Sequence, residues 1–68
     1  MTKLEQSERI AREMIDTDRA LHDGKITPQQ WHMMRMAIYR RYDPDVNVWR
    51  RACKCYALQT GKQWLPCD

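Results

Sequence analysis

The 68-residue sequence predicts an all-α fold, a small three-helix bundle. Two observations predict it. Apolar residues recur at spacings of three and four, while β-branched residues are few and no strand-like alternation persists. Helix start and stop signals at Asp23-Gly24 and at Asp43-Pro44-Asp45 divide the chain into three stretches of helical length. No internal repeat, low-complexity run or long linker interrupts residues 1–68, which are expected to form one domain.

The first helix is expected from Leu4 to about His22, with Gly24 providing a left-handed C-terminal cap. The second is expected over 28–42. Thr27 serves as its N-cap, Pro28 fits the first helical position, and Gln30 closes a capping box. Pro44 disfavours helical geometry at Asp43, so the chain breaks there and restarts as a third helix over about 45–60, followed by Gly61. The tail KQWLPCD is expected to be non-helical because of Pro66, with Trp64 and Leu65 folding back over an open end of the bundle. Residues 17–42 have the form of a helical hairpin and resemble, in structure only, short oligomerisation hairpins at the ends of some bacterial proteins.

Projection at about 100° per residue assigns the faces. The expected core stripes are Ile10, Ala11, Met14, Ile15 and Leu21 in the first helix, and Trp31, Met34, Ile38 and Tyr42 in the second. In the third they are Val46, Trp49, Ala52, Cys53, Tyr56 and Ala57. The second and third helices are expected to meet across the Asp43–Asp45 turn. Glu5–Arg9, Glu8–Arg12 and Arg9–Glu13 are expected to pair along the outside of the first helix. Asp18 falls within that helix's apolar side. A buried carboxylate needs a partner, and Arg41 is the expected one; a solvated place at the rim, or the Arg of a partner protein, would also satisfy it.

Charge is unevenly spread. Residues 1–34 hold five Lys or Arg against six Asp or Glu, and residues 35–68 hold seven against three, giving +3 overall. Five of the six aromatics share the basic half. Basic charge beside aromatic rings suits a polyanion-binding surface and is equally ordinary for a soluble basic domain. On the third helix Asn47, Arg50, Arg51 and Lys54 share one face, away from Trp49 and Tyr56. Such a face can enter a DNA major groove, where Arg reads guanine and Asn reads adenine. Arg40, Arg41 and Lys62 would then anchor phosphates. A merely solvated face is the alternative.

The segment VNVWRRACK, residues 46–54, resembles the third helix of homeodomain-type helix-turn-helix domains, which has a Val-Trp pair followed by basic residues. The resemblance implies a three-helix DNA-binding fold. It makes Trp49 the core anchor and puts Val48, Arg50, Arg51 and Lys54 near the DNA-reading stretch. Arg50 stands where that family has Phe, and Ala52 where it has its DNA-contacting Asn.

The second helix suggests a different partner. Met33, Met36 and Tyr39 project away from its expected core stripe, flanked by His32, Arg35 and Arg40. Flexible thioethers, an aromatic and Arg are the composition of protein interfaces. A second copy of the chain would satisfy the same surface, and methionines filling an irregular core are the alternative.

Other classes are disfavoured. A chain this short leaves little room for a substrate pocket beside its core. It has no Gly-rich phosphate loop, no nucleophile with a recognisable base and no HExxH, and its carboxylates are not clustered for divalent-metal chemistry. Cys53 and Cys55 lie about 200° apart on a helix and so cannot readily grip one zinc ion. Cys53 is expected in the core, and Cys55 and Cys67 at the surface. The charged N-terminus lacks the apolar region of a signal peptide, and three cysteines form no disulfide framework, so a reduced cytoplasmic protein is expected. The leading expectation is therefore a non-enzymatic, cofactor-free accessory or regulatory protein docking a basic third helix on nucleic acid, chiefly double-stranded DNA. The alternative is a protein-binding modulator or homodimer using the second helix. Neither a membrane nor a small-molecule substrate is expected as partner.

Overall fold

Thr2 starts the first helix, α1 (Lys3–His22), by accepting the Glu5 backbone N–H at 3.1 Å. This computed structural model describes residues 2–64, which form three helices and no strand. Helix α1 ends as its glycine predicts: Gly24 is left-handed at φ 73°, its N–H reaches the Leu21 carbonyl, and the Lys25 N–H reaches that of Ala20 at 2.9 Å. Helix α2 (Pro28–Tyr42) opens with a complete capping box. The Gln30 N–H donates to Thr27 Oγ1 at 3.1 Å, and the Thr27 N–H donates to Gln30 Oε1 at 2.9 Å.

At the second boundary Pro44 keeps Asp43 out of the right-handed helical region, and Asp43 adopts φ 43°. Asp tolerates this left-handed geometry better than most residues. Asp45 then caps helix α3 (Val46–Thr60), its Oδ1 accepting the Val48 N–H at 2.8 Å. Gly61, at φ 73°, ends α3 by donating to the Ala57 carbonyl.

Helix α1 is the central element, and it packs against both α3 and α2. The Lys3–Asp45 ion pair at 3.4 Å and the Asp18–Tyr56 hydrogen bond show α1 and α3 running side by side in the same direction. Gln6 donating to the Tyr42 carbonyl and Asp18 meeting Trp31 show α2 running the opposite way. The expectation that α2 packs directly on α3 is corrected. Their backbones do not approach each other, and Tyr39 and Trp49 bridge them edge to face at 4.9 Å. The core comprises Ile10, Met14, Ile38, Val48, Trp49, Ala52, Cys53, Tyr56 and Trp64. Two small polar residues are buried on α1, and each is satisfied within its own helix: Ser7 donates to the Leu4 carbonyl and Thr17 to that of Glu13.

Two further expectations about the faces change. Val46 is exposed and Val48 buried, because α3 is rotated about its axis to set Val48, Ala52 and Tyr56 toward the core. Met34 is exposed, leaving Ile38 as the one buried residue of α2. Trp64 does fold back and is buried against Tyr56, their rings meeting edge to face at 5.1 Å. Leu65, Pro66 and Cys67 lie outside the described residues.

Candidate functional site

The rotation that buries Val48 defines the opposite side of α3. Arg50, Lys54, Asn47, Leu58 and Arg51 are all exposed there and span an arc of about 100°. The helix contains three cations and no carboxylate. Among the described residues the ion pairs are Lys3–Asp45 and Arg41–Glu13, so Arg50, Arg51 and Lys54 stand in solvent without an acidic neighbour bound to them. The nearest acid along the chain, Asp45, is engaged in capping. The Val48 N–H, first, and then Lys3 hold its carboxyl below the usual range. The pairs expected between Glu5 and Arg9, Glu8 and Arg12, and Arg9 and Glu13 are not closed; Glu13 turns to Arg41 instead.

Two depressions shape this basic surface. Arg50, Lys54, Lys62 and Gln63 line an open cleft of about 390 Å³ along the C-terminal half of α3. Asn47 and Arg51 line a smaller one of about 90 Å³ together with Lys3 and Val48. Lys3 was not legible as a site residue, since only the parallel packing of α1 and α3 brings it there. Arg40 and Arg41 line neither cleft. Arg40 is exposed on α2, while Arg41 is bound to Glu13, which withdraws it from the expected phosphate contacts. Val48, which the resemblance sets near the DNA-reading stretch, faces the core.

A polar junction on the far side fixes how α3 sits. Asp18 Oδ1 accepts the Trp31 indole N–H at 2.8 Å, and Oδ2 accepts the Tyr56 hydroxyl. The expected Asp18–Arg41 pair is therefore corrected: one carboxylate takes a donor from each of the other two helices. Burial, and secondarily Asp18, pushes the Tyr56 phenol up to about 12. Beside this junction Arg35 stacks between two indoles, 4.4 Å from the Trp31 ring centre and 4.2 Å from that of Trp64. Arg35 is thus half-buried within its own domain and does not flank the outer face of α2 as expected.

The remainder of the α2 set is exposed: His32, Met33, Met36, Tyr39 and Arg40, joined by Met34. One edge of Tyr39 is used against Trp49. Cys53 lies in the core and Cys55 is half-buried. No three His, Cys, Asp or Glu side chains are grouped as metal ligands among the described residues, and no helix there is long and apolar enough to cross a membrane.

The arrangement offers a rigid helix with a cationic, hydrogen-bonding outer arc, held by buried contacts on its other side. No protein-family model, curated protein or solved structure matches the chain.

Proposed function

We propose that this protein is a non-enzymatic accessory or regulatory factor that docks α3 on nucleic acid, chiefly double-stranded DNA. The observation that carries this reading is the outer arc of α3, where Arg50, Arg51 and Lys54 are exposed and free of ion pairs among the described residues. Had those guanidinium groups folded onto the domain's own carboxylates, the surface would have been neutralised internally.

Docking begins electrostatically. Lys54 and Lys62 flank the longer cleft with Arg50, and Lys3 stands beside Arg51, so phosphates can be met at both ends of the helix. Each phosphate neutralised releases condensed counterions, which favours binding at low salt. Asn47, Arg50 and Arg51 carry the donors that can reach base edges in a major groove. Arg40 remains a candidate phosphate contact from α2; Arg41 contributes only if it leaves Glu13. The homeodomain-like sequence of residues 46–54 accords with this use of the helix, and a cytoplasmic setting accords with a nucleic-acid partner.

Duplex binding measured across a salt series tests the proposal. The wild-type chain should bind with a steep salt dependence, and Arg50→Ala/Arg51→Ala should flatten the slope by roughly two phosphate contacts' worth, about 0.9 each. Absence of duplex binding at low salt, or an unchanged slope in the variant, refutes it.

A further inference from the structure

We infer that the outer face of α2 is a docking surface for an acidic, amphipathic segment of a partner protein, distinct from the cationic arc of α3. Met33 is 65% exposed, Met34 41%, Met36 48% and Tyr39 47%. The alternative in which the methionines fill an irregular core does not hold for these three, and Met14 alone of the described methionines is buried. Met33, Met36 and Arg40 recur at i, i+3 and i+7, the spacing at which one helix offers a continuous stripe to another. Unbranched thioethers adapt to an incoming apolar side chain with little reorganisation, as in other methionine-rich peptide grooves.

Charge selects the occupant. Helix α2 contains no Asp or Glu. Of its three arginines, Arg41 is held by Glu13 and Arg35 is stacked between tryptophans, which leaves Arg40, with His32 on the same outer side, as its outward cation. A second copy of the chain fits poorly. Two α2 faces laid antiparallel about Met36 would set Arg40 of one against His32 of the other, with no carboxylate on either helix. A segment with apolar residues at i, i+3 or i+4 and i+7, bordered by Asp or Glu, satisfies both the methionine stripe and Arg40.

The test uses the full chain and two synthetic helical peptides with the same leucine stripe, one bordered by Glu and the other by Lys, with binding read by fluorescence anisotropy. The Glu-bordered peptide should bind and the Lys-bordered one should not. Met33→Ser/Met36→Ser should weaken binding about tenfold or more, and Arg40→Gln should weaken it less. Arg50→Ala/Arg51→Ala should leave peptide binding unchanged, and the methionine variant should leave the duplex salt slope unchanged, so either surface can fail without the other. The substituted positions are exposed, and far-UV circular dichroism checks that the variants remain helical. Equal binding of both peptides, no binding of the acidic one, or loss of acidic-peptide binding only in the α3 variant overturns the inference. So does a concentration-dependent dimer that Met33→Ser/Met36→Ser abolishes, since that result gives the face to a second copy.

Discussion

Asp18 accepts the Tyr56 hydroxyl from α3 while its other carboxylate oxygen accepts the Trp31 indole N–H from α2. One side chain of α1 thus ties together two helices whose backbones do not meet. Replacing it with Ala leaves two donors without their acceptor in a part-buried site. Hydrogen bonds to a charged group contribute about 1.5–3 kcal/mol each, and relaxation toward water offsets part of that, so Asp18→Ala should cost about 2 kcal/mol or more. For a domain of this size that lowers Tm by about 8–16 °C. Asp18→Asn retains one acceptor oxygen and should cost less. Thermal melts followed by circular dichroism check both, and a melt of Asp18→Ala that overlays the wild type would show the junction to be dispensable.

Tyr56 makes the same junction sensitive to alkali. Its phenol is pushed up to about 12 in the folded chain, against an ordinary value of 10.0. A group whose folded pKa is raised binds its proton more tightly when folded. Its stabilising contribution is therefore complete below the unfolded value and is lost as pH rises from there through the folded one. Stability should fall between roughly pH 10 and 12, with the last tyrosinate absorbance appearing as the domain opens. Tyr56→Phe should remove that last step and flatten this part of the pH profile, at a modest cost in stability at neutral pH from the lost hydrogen bond.

Arg35 holds the chain end onto the bundle. Its guanidinium plane lies against Trp31 on one side and Trp64 on the other, and each cation–π contact is worth about 0.5–1 kcal/mol or more when desolvated. Arg35→Ala should cost about 1–2 kcal/mol and shift tryptophan emission to the red as Trp64 gains water. Arg35→Lys keeps the charge without the planar face and should recover only part of the loss. Unchanged emission in Arg35→Ala would mean that Trp64 is held by Tyr56 alone.

These contacts mark where sequence reasoning stops. The caps at Thr27 and Asp45 and the left-handed glycines at 24 and 61 were legible because each is decided by residues a few positions apart. The cationic arc of α3 was legible for the same reason, since apolar and charged residues separate cleanly around that helix. Helix α2 has apolar residues on all sides, so its periodicity left the inward face ambiguous. Packing resolved it by keeping Ile38 in and leaving Met34 out. Arg35, which composition assigns to an interface, entered the domain because two indoles distant in sequence come together around it. Asp18 was recognised as a carboxylate in need of a partner. Its partners are a Trp and a Tyr because α1 is the shared neighbour of the other two helices, a tertiary fact with no local sequence signal.

Leu58 provides a test that gains function instead of removing it. It is 77% exposed in the middle of the basic arc, between Lys54 and the start of the longer cleft's far wall at Gly61 and Lys62. Exposed to that degree, its side chain contributes little to the core, so Leu58→Arg should leave the melting temperature nearly unchanged. If the arc lies on a nucleic-acid backbone, the added guanidinium should meet another phosphate and steepen the logarithmic salt dependence by about 0.9. Leu58→Glu should weaken duplex binding through like-charge repulsion at the same spot. A pair of variants that fold like the wild type and bind duplex indistinguishably would place the nucleic acid elsewhere on the molecule, and would leave the arc as a solvated face.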